Sequence, residues 1–423
     1  MPRQYSCTEV ADALSLSKRV LEQWRKSEFL VPAHSDGTYS EAQLVQFDPI
    51  REMQESAWEA ESSVAPLRPF RSVELFAGAG GLALGLEKAG FAPALLNEID
   101  KDACATLSAN RPDWPVVKGD VSELNFEHLA GQVDFLSGGF PCQAFSYAGQ
   151  KAGFEDTRGT LFFEFARAIR EIQPRVFLGE NVRGLLNHEE GRTVETIKNV
   201  LRGLGYTLIE PKVLKAIFYK VPQKRERLFF IGVRNDFAEC AKAFSWPSPY
   251  RRILNLRDAL KAGELFETDV PESAGQKYPE RKKEILSQVP AGGYWRDLSD
   301  ELQREYMMRS YFLGGGKTGM ARRLSWEQPS LTLTCAPAQK QTERCHPEET
   351  RPLTVREYAR VQTFPDDWAF SGSTSSQYKQ IGNAVPVNLA YAVGRRLVHL
   401  LNAIEAVAPV TPIAQYATLE VEG

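Results

Sequence analysis

No apolar run in this sequence approaches the roughly 20 residues that a membrane-crossing helix needs. Stretches such as Leu228–Val233 are core-sized. The opening "MPRQYSCTEV" has no basic segment leading into an apolar one, so no signal peptide is expected and the protein is read as cytoplasmic, with no membrane partner. Only 6 cysteines occur (Cys7, Cys104, Cys142, Cys240, Cys335 and Cys345), and no two form a CxxC pair. That scarcity excludes a disulfide frame and favours reduced thiols. Cys335, Cys345 and His346 lie near one another, but three ligands without the usual spacing make a weak zinc site, and no metal is expected. Excess positive charge is missing too: the formal net charge is −3. A nucleic-acid partner would therefore have to be met by a local basic face rather than by the whole chain.

What is present is an ordinary globular balance, 43% hydrophobic and 25% charged over 423 residues, enough for two or three domains. Residues 1–60 carry two short periodic runs. The first has Thr8 as its expected N-cap before Val10, Ala13 and Leu14; the second passes through Val20, Leu21 and Trp24. Two short helices joined by a tight turn form a helix-turn-helix, and with the following "FLVPAHSDGTYSEAQL" the segment resembles the DNA-binding head of the MerR family. Six basic residues against eleven acidic ones between Arg3 and Glu61 weigh against DNA and for a docking or dimerisation module. Lys18, Arg19, Arg25 and Lys26, gathered on or beside the second helix, weigh for DNA, including promoter DNA. Residues 55–69, polar and ending in two prolines, look like a linker, with 61–69 as the linker of the domain division.

From Ser72 strand-like and helical runs alternate: "SVELF", "ALLNEI", "PVVKGD", "VDFLSGG", "RVFLGEN" and "RLFFIGV" are the strands. Such alternation predicts a doubly wound, mostly parallel sheet covered on both faces. Residues 236–350, rich in proline, glycine and charge, interrupt it as an irregular insert; 351–403 return to the sheet domain of 70–235, and 404–423 form a tail.

The turn "LFAGAGGLALG" places Gly78, Gly80 and Gly81 between a strand and a helix, where backbone can approach a ligand. Glu98 ends the second strand about 20 residues on, in position for both hydroxyls of a ribose. Asp120 ends the third, in reach of an exocyclic amine such as adenine N6. Either carboxylate alone is more often a solvated strand end; three successive strand ends describe an adenosine pocket, with Phe76 either stacking on the adenine or filling core. The FxGxGG spacing differs from the pyrophosphate-cradling GxGxxG, so a ligand without phosphates is favoured, and S-adenosylmethionine fits.

The fourth strand runs into "GGFPCQAFS". With "FAGAGG", "ENVRGL", "QKRERLF" and "QIGNAVPVNLA" following in order across about 70–235 and 351–395, the chain resembles the DNA (cytosine-5)-methyltransferases. The resemblance implies a mixed, mostly parallel, Rossmann-like S-adenosylmethionine-dependent methyltransferase fold with 236–350 as target-recognition domain. It implies Cys142 as the nucleophile that adds to cytosine C6, because C5 is otherwise too weak a nucleophile to take the methyl group. Glu180 would hold the pyrimidine N3. Arg227 would hold O2, and Arg225 a flanking phosphate or Glu180; with Gln223, expected to contact the DNA, these alternate along a strand and would face one side. The target base must be flipped out of the duplex. The glycine-containing segment after Cys142, with Ser146 and Lys151 on phosphates, suits a closing loop. Asn383 and Val385 would touch the cofactor. In the insert, Thr332 is a candidate for the target-base contact, and Lys317, Arg322, Arg323, Lys340 and Arg344 for phosphates or guanine edges. Double-stranded DNA is the implied partner, a cognate restriction endonuclease a further one, and a nucleoid-associated location follows. The rivals are an RNA cytosine methyltransferase and a DNA-binding regulator on a vestigial enzyme scaffold.

Overall fold

A computed structural model describes residues 3–141 and 161–409. The chain opens with the helix pair read from sequence: α1 (Cys7–Leu14) and α2 (Lys18–Lys26), joined through Ser15 in the left-handed region at φ 58°. The cap of α1 is Ser6 rather than Thr8. Its hydroxyl accepts from the Glu9 N–H while the Glu9 carboxylate takes the Ser6 N–H, a reciprocal box that a threonine two residues later cannot make. A two-residue ribbon pairs Gln4–Tyr5 with Tyr39–Ser40 and closes this head.

Residues expected to link the head to the rest do not hang free. Helix α3 (Trp58–Ser62) buries Trp58 in the main core, and the Arg395 guanidinium lies 4.4 Å over its ring. Glu61 accepts from the N–H and hydroxyl of Ser248. The proline-rich composition signalled a linker because it records local stiffness and says nothing of an aromatic anchored at a distance.

The sheet domain follows the predicted alternation. Strand β1 (Phe70–Leu75) leads to α4 (Gly81–Ala89), β2 (Phe91–Glu98) to α5 (Lys101–Asn110), and β3 (Val116–Lys118) and β4 (Phe135–Gly138) come next. Then come α6 (Leu161–Ile172), β5 (Val176–Val182), α7 (Arg192–Gly203), β6 (Tyr206–Lys215), the short β7 (Gln223–Lys224) and β8 (Glu226–Arg234). Seven strands order as β3-β2-β1-β4-β5-β8-β6. The first five are parallel; β8 runs antiparallel to both β5 and β6. The chain winds outward through β2 and β3, then returns to β4 on the other side of β1. A crevice opens at that reversal, outside the carboxyl ends of the strands.

The insert holds short helices and turns around its own core of Tyr278, Leu286, Trp295, Met307 and Cys345. It contributes β9 (Ser330–Leu331), which pairs in parallel with β7 and joins target-side sequence to the catalytic side. After α8 (Val355–Val361) and α9 (Thr374–Asn383), α10 (Val387–Val407) lies against α4. Helix α10 continues past the expected boundary at 403: Ile404 is buried, and Glu405 pairs with Arg68 and Arg175 at 2.9 and 2.7 Å.

The docking of α3 predicts that Trp58→Ala removes about 3–5 kcal/mol by leaving a cavity in the main core. The thermal midpoint should fall by about 3–6 °C. An unchanged midpoint in a calorimetric scan would return residues 55–69 to the status of a free linker.

Candidate active site

At the crevice lies a cavity of about 900 Å³, within the roughly 300–1,000 Å³ common for small-ligand sites. Its floor begins with β1. Phe76 and Gly78 both take positive φ, 59° and 56°, so the chain leaves the strand in a tight curl, and only Gly78 does so without strain. The Gly78 N–H donates to Glu98 Oε2 at 2.7 Å; Oε1 accepts the N–H groups of Ile99 and Asp100, each at 2.8 Å. Three backbone donors therefore fix the Glu98 carboxylate at the end of β2, on the cavity wall.

Gly81 starts α4 under a different constraint. A Cβ there would collide with the Val385 carbonyl, so its bare backbone lets the chain's last motif close over the turn. Phe76, Gly78, Gly81, Glu98, Asn383 and Val385 all line this one cavity. Two expected cofactor residues do not. Gly80 faces the hydrophobic core, where a Cβ would meet Leu107 and Trp368 at 2.7 and 3.1 Å, so it answers to packing. Asp120 is off the lining. It caps a short turn by accepting from the Ser122 N–H and hydroxyl, which together hold its carboxyl below the ordinary range.

The other end of the same cavity is polar in a different way. Glu180, near the end of β5, meets Arg227 of β8 through Oε1 and Nε at 2.6 Å, both side chains almost out of solvent. Burial draws the Arg227 pKa down while Glu180 opposes that fall. Gly139 makes room: a Cβ on it would stand 2.8 Å from Glu180 Oε2. Asn181 Nδ2 donates to the Phe140 carbonyl at 2.8 Å, tying the end of β5 to the chain two residues before Cys142. Cys142, Ser146 and Lys151 lie outside the described residues.

Arg225 and Gln223 depart from expectation. The strand breaks between β7 and β8 at Arg225, so the three alternating side chains do not share one open face. Arg225 is 1% exposed and donates to the carbonyls of Leu333 and Asn383, both at 3.2 Å. Burial and the neighbouring Arg227 push its pKa well down. It ties the insert to the last motif and is held away from any phosphate, but it lines the same cavity and feels the charge of Glu180, the other partner expected for it. Gln223, fully buried, donates to Gln362 and accepts from the Leu333 N–H, so it cannot reach DNA.

In the insert, Thr332 lines the cavity, with its hydroxyl on the Lys224 carbonyl at 2.5 Å. Arg323 is a correction: it is buried and spends its guanidinium on the carbonyls of Leu286, Val289 and His346. Arg344 is likewise buried, on the Thr332 and Glu343 carbonyls, and Lys317 is bonded to the carbonyls of Ser310 and Leu313. Arg322 and Lys340 are half-buried, over the rings of Tyr294 and Tyr306. Cys335 faces the cavity with its thiol on Asn383 Oδ1, whereas Cys345 is in the insert's core; no metal-ligand group of three forms among the described residues.

Sequence reading passed over Glu74. It lines the cavity from β1, 5% exposed, with the Ser137 hydroxyl 3.4 Å away. Its signal was a carboxylate set between Val73 and Leu75 in a strand that runs into the glycine curl. Burial raises its pKa from 4.5 to about 8, with Glu98 adding to the rise. A raised carboxyl binds its proton more tightly folded than unfolded, so its contribution to stability is intact below the unfolded value and is lost as pH climbs toward 8. Glu74→Gln should therefore match wild type in thermal midpoint at acid pH and exceed it progressively as pH rises through that window. A parallel pair of midpoint curves would refute the assignment.

The site fits S-adenosylmethionine on its own terms: a curl of bare backbone, an immobilised carboxylate for ribose hydroxyls, an aromatic ring, and acidic groups for a cationic ligand. Comparison with known proteins agrees. Residues 70–399 match the C-5 cytosine-specific DNA methylase family, and residues 5–57 the MerR HTH family regulatory protein model. The chain is 63% identical to the Type II methyltransferase M.Eco47II of Escherichia coli, over 96% of this chain and 97% of that one. It is 61% identical to M.PspPI of a Psychrobacter species, over 94% and 97%. Among solved structures, a putative DNA modification methyltransferase encoded within an E. coli prophage aligns with TM-score 0.56 at 26% identity, covering 79% of this chain and 99% of that one. With its fold, its cofactor pocket and a match over most of its length in agreement, the chain belongs to the C-5 cytosine-specific DNA methylase family and is an S-adenosylmethionine-dependent DNA (cytosine-5)-methyltransferase.

Proposed function

We propose that Cys142 is the nucleophile and Glu180 the group that meets cytosine N3, with Arg227 holding Glu180 in place and reaching O2. The observation that carries this reading is the buried Glu180–Arg227 pair over Gly139, at the far end of the cavity whose near end holds Glu98. A flipped cytosine entering there would meet the carboxyl and the guanidinium at once.

Addition of the Cys142 thiolate to C6 forms a C–S bond and sends the ring's electrons toward C5 and N3. Glu180 steadies that charge as the carboxylic acid, by giving its proton to N3. Phe76 and Glu98 would hold S-adenosylmethionine, whose sulfonium would supply an electrophilic methyl group to C5 and leave as the neutral thioether. Loss of the C5 proton to water, with expulsion of the Cys142 thiolate, then restores the aromatic ring. Arg225, tied to the Leu333 and Asn383 carbonyls, acts as a positioning residue between insert and cofactor wall. Thr332, Arg322 and Lys340 remain the insert's candidates for DNA.

The relatives' designation as Type II methyltransferases supports a role in restriction–modification, with a cognate endonuclease as partner and the chromosome as location. Since the alignments to the E. coli and Psychrobacter enzymes take in nearly all of 236–350, the three should share one recognition sequence. Promoter binding by residues 1–60 has one observation in its favour, the MerR match. A regulator on a vestigial scaffold is disfavoured by the assembled Glu180–Arg227 pair.

Methyl transfer to DNA should vanish in Cys142→Ser. In Glu180→Gln it should fall by about 10²–10⁴. Bisulfite sequencing of host DNA should find C5 methylation at one short site. Incorporation by Cys142→Ser at the wild-type rate, or methyl groups on N4 or adenine, would overturn the assignment.

A further inference from the structure

The head is locked to the catalytic body at a specific place. Asp12 of α1, almost buried, meets Lys224 Nζ at 2.5 Å, and Lys215 Nζ donates to Ser15 Oγ at 2.6 Å. Arg3 donates to the Arg251 carbonyl at 2.8 Å. Behind these polar ties, Val10, Leu21, Leu44 and Ile50 of the head share one buried cluster with Ile217 and Ile253 of the body. Moving the head away would expose that apolar cluster to water and break the Asp12–Lys224 pair.

Strand register says where the lock sits. Lys215 ends β6 opposite Glu226, and the next residue of β8, Arg227, stands opposite Val182 at the end of β5. The turn between α1 and α2 therefore rests at the same edge of the sheet as the Glu180–Arg227 pair. Lys224 is part of the connection as well, because its carbonyl holds the hydroxyl of cavity-lining Thr332.

Helix α2 starts from that turn with Lys18 and Arg19, both exposed. The head as a whole keeps its acidic excess, but the acids nearest the start of α2 are paired: Asp12 with Lys224, Glu9 with Arg3, and Glu22 with Arg25. The start of α2 is thus left cationic beside the catalytic edge.

We infer that Lys18 and Arg19 bind backbone phosphates of the same duplex whose target cytosine enters the cavity, so that the head extends the enzyme's footprint on its substrate. This rests on the chain being a DNA methyltransferase. A duplex from which one base is extracted must be held to either side of it, and phosphate contacts fix position without reading sequence. A head fixed at this edge meets whatever duplex the cavity meets.

The test compares wild type with Lys18→Gln/Arg19→Gln on two duplexes carrying the methylated site, one trimmed close to it and one reaching about a helical turn beyond on both sides. On the longer duplex the variant should show a KM for DNA raised about tenfold at physiological salt with kcat unchanged. Its log Kd against log salt slope should drop by about 1.8, as expected for two lost phosphate contacts. On the trimmed duplex the two proteins should agree. An unchanged KM and salt slope on the longer duplex would overturn the inference. So would a variant that methylates like wild type yet loses affinity only for a separate promoter fragment. If wild type transfers no methyl group to DNA, the methyltransferase reading falls, while the salt slope still decides whether the head touches the duplex.

Discussion

The close approach of α4 and α10 is the constraint on which the site depends. Gly81 and Gly85 on α4 have no room for a Cβ, because the Val385 and Val387 carbonyls and the Ala390 side chain occupy that space; from the other side Gly394 would press a Cβ within 2.8 Å of Ala89. Backbone packed on backbone brings residues more than 300 positions apart in sequence into one wall. Without that seam, Asn383 and Val385 would not reach the cavity opened by β1 and β2. Arg225 would also lose the Asn383 carbonyl that holds it.

From this seam outward, the two ends of the cavity follow different electrostatic rules. At the cofactor end, Glu98 is fixed by backbone N–H groups, which stabilise a carboxylate without a competing cation and leave it able to accept from a ligand's hydroxyls. Deeper in, Glu74 has the Ser137 hydroxyl and heavy burial, so its proton stays on. At the base-receiving end, Glu180 is partnered by a buried arginine. A lone buried charge would be costly, and a pair at 2.6 Å in a dry corner is a preorganised recognition surface.

Much of this was legible from residues alone. The strand and helix alternation, the FAGAGG curl, the placement of Glu98 and the pairing of Glu180 with an arginine of the QKRER segment all follow from local pattern or family motif. What the pattern could not give was the inward fate of polar side chains. Gln223, Arg225, Arg323 and Arg344 read as DNA contacts or catalytic groups because they are polar and sit in promising segments. Each instead satisfies carbonyls or amides from a distant part of the chain. Gly80 and Asp120 stand off the cavity lining for a related reason: a glycine admits a neighbouring side chain as readily as a ligand, and an aspartate at a strand end can cap its own turn.

The sequence by itself determined the fold class, through its periodicity, and the placement of the glycine curl and Glu98 at successive strand ends, set by residues close in the chain; the reaction family came from the resemblance carried by its ordered motifs. Only the tertiary structure decided which arginine meets Glu180, that Glu74 shares the cavity, and that the head is fastened to the catalytic edge through Asp12 and Lys224. Those depend on contacts across 40 to more than 200 residues of chain. Packing selects such contacts because a buried polar group must find a partner wherever the fold provides one.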